Sequence, residues 1–249
     1  MIPQQKRETT SITNPFNAPV YYYARTDSTL QTARECLADG CPDGTFIYAG
    51  YQTEGRGRMA DRQWLSPAGE NLLGTLIVKQ PASTDFTLRI GLAVSVTLDS
   101  FLPSSVRTAV KWPNDILING KKTAGILCEG AGGCILAGVG INLLQTAFLR
   151  SIEHTATSLA LTIGADKCPT FEVFIPALLT HIQECLSCRD WNEEISRRLW
   201  KRGSIVRFMR GQQENDIIEG ILTGIAPDGA LCITEEDKER RYYSGELLC

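Results

Sequence analysis

A chain of 249 residues with 43% hydrophobic and 21% charged side chains has the composition of a folded globular protein of one or two domains, which excludes collagen, coiled coil and bulk disorder. Its 25 basic and 28 acidic side chains leave a net charge of −3, so a general nucleic-acid binder is disfavoured and any anion site has to be local. No apolar run approaches the roughly 20 residues of a membrane span and the polar N-terminus has no secretory core, so the chain reads as cytoplasmic with no membrane partner. Nine cysteines without framework spacing then read mostly as small buried hydrophobes or free thiols.

Residues 1–19 are polar, carry Pro3, Pro15 and Pro19, and read as a flexible tail. A strand is predicted at 20–24 and a helix at 27–39. Ser28 and Gln31 have capping-box spacing, Leu30, Ala33 and Leu37 share a face, and Gly40 stops the helix. A strand at 45–51 leads into a glycine- and arginine-rich loop at 55–64; a further strand is predicted at 71–79 and, on length, a helix at 84–102. Residues 106–142 read as a meander, with Asn119-Gly120 as a tight hairpin turn and the glycine cluster at 130–133 as the next turn. A helical stretch at 171–200 breaks near Asp190. After Lys201-Arg202-Gly203, short strands at 205–209, 217–224, 230–234 and 241–243 predict a small separate barrel.

Candidate chemistry sits in four segments. Gly55-Arg56-Gly57-Arg58-Met59-Ala60-Asp61-Arg62-Gln63-Trp64 joins three arginines to two glycines. Glycine lets backbone N–H groups approach an anion and arginine supplies forked donors, so the segment reads equally as an anion loop and as a solvated basic loop. In Lys111-Trp112-Pro113-Asn114-Asp115 the proline makes a rigid turn that brings Lys111 and Asp115 together. That carboxylate suits a metal or a nucleotide group, although an ion pair beside a packed tryptophan is the commoner outcome. In Lys121-Lys122-Thr123-Ala124-Gly125 the lysines point to opposite strand faces, so one can face a site; two surface lysines are the plainer alternative. Gly138-Val139-Gly140-Ile141-Asn142 ends a strand where a ligand can meet backbone, or where the strand kinks.

The P-loop, the dinucleotide fingerprint and the nucleophile elbow each lack a required residue. His181, Cys185 and Cys188 lie along one helix face without a partner pair, so no zinc is expected. Cations around an anion-sized loop, with no obvious nucleophile, suit a reaction between two anions such as a carboxylate and ATP.

Five segments occur in the order found in biotin–protein ligases: Tyr51-Gln52-Thr53-Glu54-Gly55-Arg56-Gly57-Arg58, Trp64-Leu65-Ser66-Pro67, Lys111-Trp112-Pro113-Asn114-Asp115, Lys122-Thr123-Ala124-Gly125-Ile126-Leu127 and Gly138-Val139-Gly140-Ile141-Asn142. The sequence resembles that family over residues 20–249. The resemblance implies an α/β (α+β) fold, with a catalytic domain at 20–202 on a mixed, largely antiparallel sheet and an SH3-like domain at 203–249. It implies that biotin and MgATP give biotinyl-5′-AMP, and that biotin then passes to a lysine of a biotin carboxyl carrier protein.

Under the resemblance, Ser28 and Thr29 match the pair that bonds the biotin ureido ring, and Gln52 a further biotin contact. Gly55, Arg56, Gly57 and Arg58 match the loop over the adenylate, and Trp64 an aromatic wall beside it. Gly125, Gly138 and Asn142 fall among the substrate-lining positions. Lys122 matches the lysine at the biotin carboxylate and acyl phosphate; Lys111 and Asp115 match the motif linked to adenylate chemistry, with Asp115 the candidate for Mg2+. Lys122, Arg58, Lys111 and Asp115 are the catalytic candidates. The loop is expected to be mobile without ligand, its arginines repelling each other and having few local acidic partners beyond Glu54 and Asp61. The segment from Gly203 on is expected to serve ATP binding or transfer rather than biotin recognition.

Two positions depart from the family pattern: Leu30 stands where asparagine is frequent, and Met59-Ala60-Asp61 is one residue longer than the common bacterial form. The nearest rival is a lipoate or octanoate ligase, which the Gly-Arg-Gly-Arg loop argues against. A DNA-binding repressor is the rival of another class; the first motif at Ser28 leaves no room for a helix-turn-helix, so DNA is not expected as a partner. A homodimer stays open.

Overall fold

The structure, a computed structural model, describes residues 7–59, 62–81, 83–211 and 216–248. Eight strands form the main sheet: β1 (Glu8–Thr9), β2 (Val20–Tyr23), β3 (Phe46–Ala49), β4 (Asn71–Val78), β5 (Thr108–Lys111), β6 (Asp115–Ile118), β7 (Lys121–Ala131) and β8 (Cys134–Asn142). Their spatial order is β1-β2-β3-β4-β8-β7-β6-β5, with β2 and β3 parallel and the other pairs antiparallel. The parallel pair needs a crossover, and α1 (Thr29–Ala38) supplies it.

Alternation along the strands sends side chains to two separate cores. On one face Leu30, Ala33 and Cys36 of α1 pack on Ile47, Ile77 and Leu136. On the other, Phe46, Leu72 and Leu76 meet α2 (Phe86–Phe101) and α4 (Phe171–Ser187). The central strands are covered on both sides, which is why β4 is buried along its whole length. Asn119 and Gly120, with φ of 50° and 77°, make the tight β6–β7 turn read from the sequence. The break near Asp190 separates α4 from α5 (Trp191–Arg197), and the short α3 (Leu159–Ile163) precedes α4.

The C-terminal part is a five-stranded antiparallel sheet of β9 (Ile205–Met209), β10 (Ile217–Ile225), β11 (Leu231–Glu235), β12 (Lys238–Tyr242) and β13 (Glu246–Leu247), ordered β12-β11-β10-β9-β13. The mixed α/β architecture with a small β unit is therefore as expected, but the small unit is not separate in its packing. Val206, Phe208, Leu222 and Leu247 belong to the same core as α2 and α4, and the rings of Phe208 and Trp112 lie 5.8 Å apart. A sheet of this size buries too little by itself, and Trp112 gives it a floor.

One expectation changes, and another gains an exception. Residues 7–19 are held to the body: Glu8 and Thr9 pair with β2, and Asn14 Nδ2 donates to the carbonyls of Ala18 and Gly44, both at 2.9 Å. Residues 1–6 of the expected tail lie outside the described residues. Cys36 and Cys41 form a disulfide, so not every thiol is free. Gly40, at φ 83°, ends α1 in a left-handed turn in which Cys41 N–H donates to Cys36 O at 3.0 Å, bringing the two side chains together. Among the described residues no helix is long and apolar enough to cross a membrane.

Candidate functional site

Two connected cavities open beside the ends of β6, β7 and β8. The inner one, about 60 Å3, has a polar end made by Ser28, Thr29 and Gln52 and walls that include Leu30, Gly125, Gly138 and Gly140. The outer one, about 390 Å3, is bounded by the turn after β5, by residues 148–156 and by Glu246. Arg58, Trp64, Asn114 and Lys122 line both.

The polar end is organised around the first turn of α1. The expected capping box does not form, since Ser28 makes no side-chain cap and Gln31 Nε2 bonds Glu35 Oε1 at 3.1 Å. Instead Gln52 Oε1 accepts from Thr29 N–H at 2.7 Å and from Thr29 Oγ1 at 3.0 Å, and Thr75 Oγ1 donates to Thr29 Oγ1 at 2.9 Å. A free helix N–H has to find an acceptor, and a glutamine from the next loop provides it more directly than the local residue. Glycines on the sheet side leave the space open: a Cβ at Gly138 would stand 3.0 Å from Leu127 O and 3.2 Å from Leu30 Cδ1.

The described parts of the arginine-rich segment, 55–59 and 62–64, pair with each other as the arms of a small hairpin. Trp64 N–H donates to Gly55 O at 3.0 Å, Gly57 N–H to Arg62 O at 2.8 Å, and Arg56 bridges Gln63. Gly55 stands behind the cavity wall, where a Cβ would be 2.3 Å from Trp64 O. Arg56, Gly57 and Arg58 line the inner cavity, while Arg62 turns the other way and meets both carboxylate oxygens of Glu246 at 3.2 Å. Arg58 Nη2 donates to Gly245 O at 3.2 Å. Few local acidic partners were expected for the arginines, and the carboxylate that Arg62 meets comes from the other end of the chain. Asp61, the neighbour considered there, and Ala60 lie outside the described residues. Burial pushes the Glu246 carboxyl up, but Arg62, and then Lys111 and Arg58, outweigh it and hold its pKa below the ordinary value.

At the head of the β5–β6 hairpin Lys111 and Asp115 are register partners. Asp115 is nevertheless paired to Lys122 across the sheet, with Nζ–Oδ1 at 2.7 Å, while Lys111 Nζ lies 5.5 Å from the Trp200 ring centroid. Among the described residues no hydrogen-bond donor is aimed at that Asp115 oxygen beyond the ion pair. Strand alternation separates the two lysines as anticipated: Lys122 faces the cavities and Lys121 reaches Glu153 O at 3.5 Å on the exposed side. Among the described residues four cations (Arg58, Arg62, Lys111, Lys122) and two carboxylates (Asp115, Glu246) line the outer cavity, which makes their balance cationic in an acidic chain.

The outer cavity has a wall that sequence reasoning missed. Phe148, Leu149, Ile152, Thr155 and Ala156 close it, and Leu149 is 58% exposed. Asn142 holds this wall through Nδ2 to Thr157 O at 2.9 Å, and Lys122 does so through its main chain, N–H to Thr155 O at 2.7 Å. Apolar residues stranded in a polar, turn-rich run were the available signal. Asn114 was also missed as a lining residue; its Nδ2 donates to Ile126 O at 3.0 Å and locks the turn onto β7. Elsewhere, His181 Nδ1 bonds Thr97 Oγ1 at 2.9 Å and Cys185 is buried. Among the described residues no group of three His, Cys, Asp or Glu is placed to hold a metal ion.

Residues 22–145 match the Biotin/lipoate A/B protein ligase family, and residues 203–247 match the Biotin protein ligase C terminal domain. The chain belongs to this family and is a ligase. It is 31% identical over 237 residues to the Bifunctional ligase/repressor BirA of Bacillus spizizenii, covering 88% of this chain and 70% of that one. With the Biotin--[acetyl-CoA-carboxylase] ligase of Mycobacterium tuberculosis it shares 33% identity over 226 residues, covering 84% of this chain and 81% of that one. In structure it is similar to the biotin protein ligase from Aquifex aeolicus solved in complex with biotin and ATP, with a TM-score of 0.78, 27% identity, and coverage of 92% and 97% of the two chains.

Proposed function

We propose that this ligase activates biotin with ATP to biotinyl-5′-AMP and then passes the acyl group to a lysine of a biotin carboxyl carrier protein in the cytoplasm. The observation that carries the reading is the union, at Lys122, of a small cavity with a polar end and a larger cavity lined by cations. The relatives named as biotin ligases, and the similar structure holding biotin and ATP, support it.

In this reading Ser28, Thr29 and Gln52 hold the ureido ring, with Gly125 and Gly138 beside the ring and chain. Lys122 leaves Asp115 for the biotin carboxylate. A carboxylate oxygen attacks the α-phosphorus of ATP and pyrophosphate leaves. Both reactants are anions, and Lys122, Arg56, Arg58 and Lys111 offset their repulsion in a site prepared before the reaction. The carrier amine next attacks the acyl carbon, the acyl–phosphate bond breaks, AMP leaves, and Asp115 is the nearby carboxylate for the amine proton. The hairpin at 55–64 shields the mixed anhydride from water until the amine arrives. Among the described residues Asp115 is the carboxylate beside Lys122 at the junction, so Mg2+ comes with the nucleotide phosphates as part of the substrate.

The test is biotin-dependent exchange of pyrophosphate into ATP, followed by transfer of labelled biotin to a carrier domain. Exchange with biotin and not with lipoate is expected, lost with EDTA and kept with a zinc-selective chelator. Exchange driven by lipoate at least as well as by biotin would overturn the reading in favour of a lipoate ligase.

A further inference from the structure

The main sheet ends on one side at β5, and the outer edge of that strand is covered. Val110 N–H donates to Arg198 O at 2.8 Å and Trp200 N–H to Val110 O at 2.9 Å, so residues 198–200 run beside β5 as a short parallel partner. Leu199 is buried in the main core, and the partly buried Trp200 packs against it. The indole is thereby anchored next to the end of β5. Two ammonium groups lie over it: Lys111 Nζ at 5.5 Å from the ring centroid, and Lys201 Nζ at 4.2 Å.

Lys111 lines the outer cavity together with Arg58, Arg62 and Lys122. Like charges push a flexible ammonium away from such a wall, and a lysine stem loses rotamer freedom when it is held there. A carboxylate would hold the ammonium but would also cancel its charge. Asp115, the register partner of Lys111, gives its carboxylate to Lys122 instead, at 2.7 Å. An indole face attracts an ammonium through its quadrupole, within about 6 Å of the ring centroid, and leaves the charge in place.

We propose that Trp200 is a positioning residue for Lys111, an inference that rests on the ATP-dependent activity proposed above. The ring keeps the ammonium, still charged, at the cavity wall where the phosphates of ATP come to lie. Trp200 acts through Lys111, so it serves ATP; the biotin carboxylate belongs to Lys122. Lys201 shares the ring but has no part in the cavity, and its contact is a surface one.

The experiment replaces the Trp200 indole of the full-length protein by one with a fluorinated benzo ring. Fluorine draws electron density off the ring face and weakens its hold on a cation while changing its shape little. Pyrophosphate exchange is measured against ATP at saturating biotin, and against biotin at saturating ATP. The KM for ATP should rise about fivefold while the KM for biotin stays within about twofold, with the melting temperature unchanged. Lys201→Met, made with each indole, tells which cation matters: the rise should persist in that background. An unchanged KM for ATP overturns the proposal. So does a rise that disappears with Lys201→Met, or one matched by an equal rise for biotin or by a lower melting temperature. In all of these cases the wild type still exchanges with biotin, and the proposed function stands. A wild type without biotin-dependent exchange overturns both.

Discussion

Replacing Glu246 by glutamine removes one charge and keeps the shape of the contact that ties the hairpin to β13. In the native pair Arg62 meets both oxygens at 3.2 Å, with the glutamate side chain 23% exposed and the arginine 59% exposed. Solvent screens such a pair, so it belongs at the upper end of exposed ion pairs, about 1 kcal/mol. That is about a fivefold change in the ratio of closed to open hairpin. The assay is limited trypsin digestion, with cleavage after Arg58 or Arg62 read by mass spectrometry. Glu246→Gln should be cut about fivefold faster at the same enzyme concentration, because cleavage tracks the open population when reclosing is fast. The pH dependence has a definite sign. Glu246 is held below its ordinary value, so its stabilisation is complete above that value and is lost as pH falls through its own, lower pKa. Wild type should therefore approach the variant in acid and differ from it at neutral pH. Equal cleavage rates at neutral pH would refute the idea that this ion pair closes the hairpin.

Three further outcomes follow from the packing. Lys122→Ala should lower adenylate formation by about 10²–10³-fold with its circular dichroism unchanged, whereas Lys121→Ala should match wild type; the reverse pattern would mean the strand faces are misassigned. Arg89→Met should cost about 2–3 kcal/mol in urea unfolding, since its Nη1 serves the carbonyls of Cys185, Leu186 and Cys188 and its Nε pairs with Asp85 at 2.6 Å; an unchanged midpoint would show that water replaces it without loss. Truncation before Gly203 should abolish biotin binding and transfer together, because it strips Phe208 from Trp112, which is 3% exposed; retained biotin binding in a soluble fragment would show that the two sheets do not depend on each other.

What could be read in advance was local. Gly40 stopped α1 where expected, Asn119-Gly120 turned the chain, and alternation along β7 separated Lys122 from Lys121. What escaped was long-range or depended on a choice between equivalent partners. Glu246 lies 184 residues from Arg62, and nothing in its own surroundings marks it as the partner of a loop. Ser28 looked like a helix cap for the N–H groups of the next turn, but its side chain makes no cap, and Gln52 reaches the Thr29 N–H from 23 residues away. Asp115 had two lysines within reach, one in register and one across the next strand, and the three-dimensional course of β7 decided for Lys122. The wall at 148–156 has no periodicity, since its apolar residues sit in turns and gain meaning only from the cavity they close.

The bonds from Thr29 to Gln52 also give the inner cavity a polarity. A glutamine amide is ambidextrous, able to give with its nitrogen and take with its oxygen. Here the oxygen is spent on Thr29, at 2.7 and 3.0 Å, so the nitrogen is what Gln52 has left to offer. The helix start thereby writes one letter of the recognition code: a guest beside Gln52 has to bring a lone pair, such as a carbonyl oxygen, and a guest that brings only N–H there is turned away. A glutamate at position 52 would keep the helix start content and erase that letter.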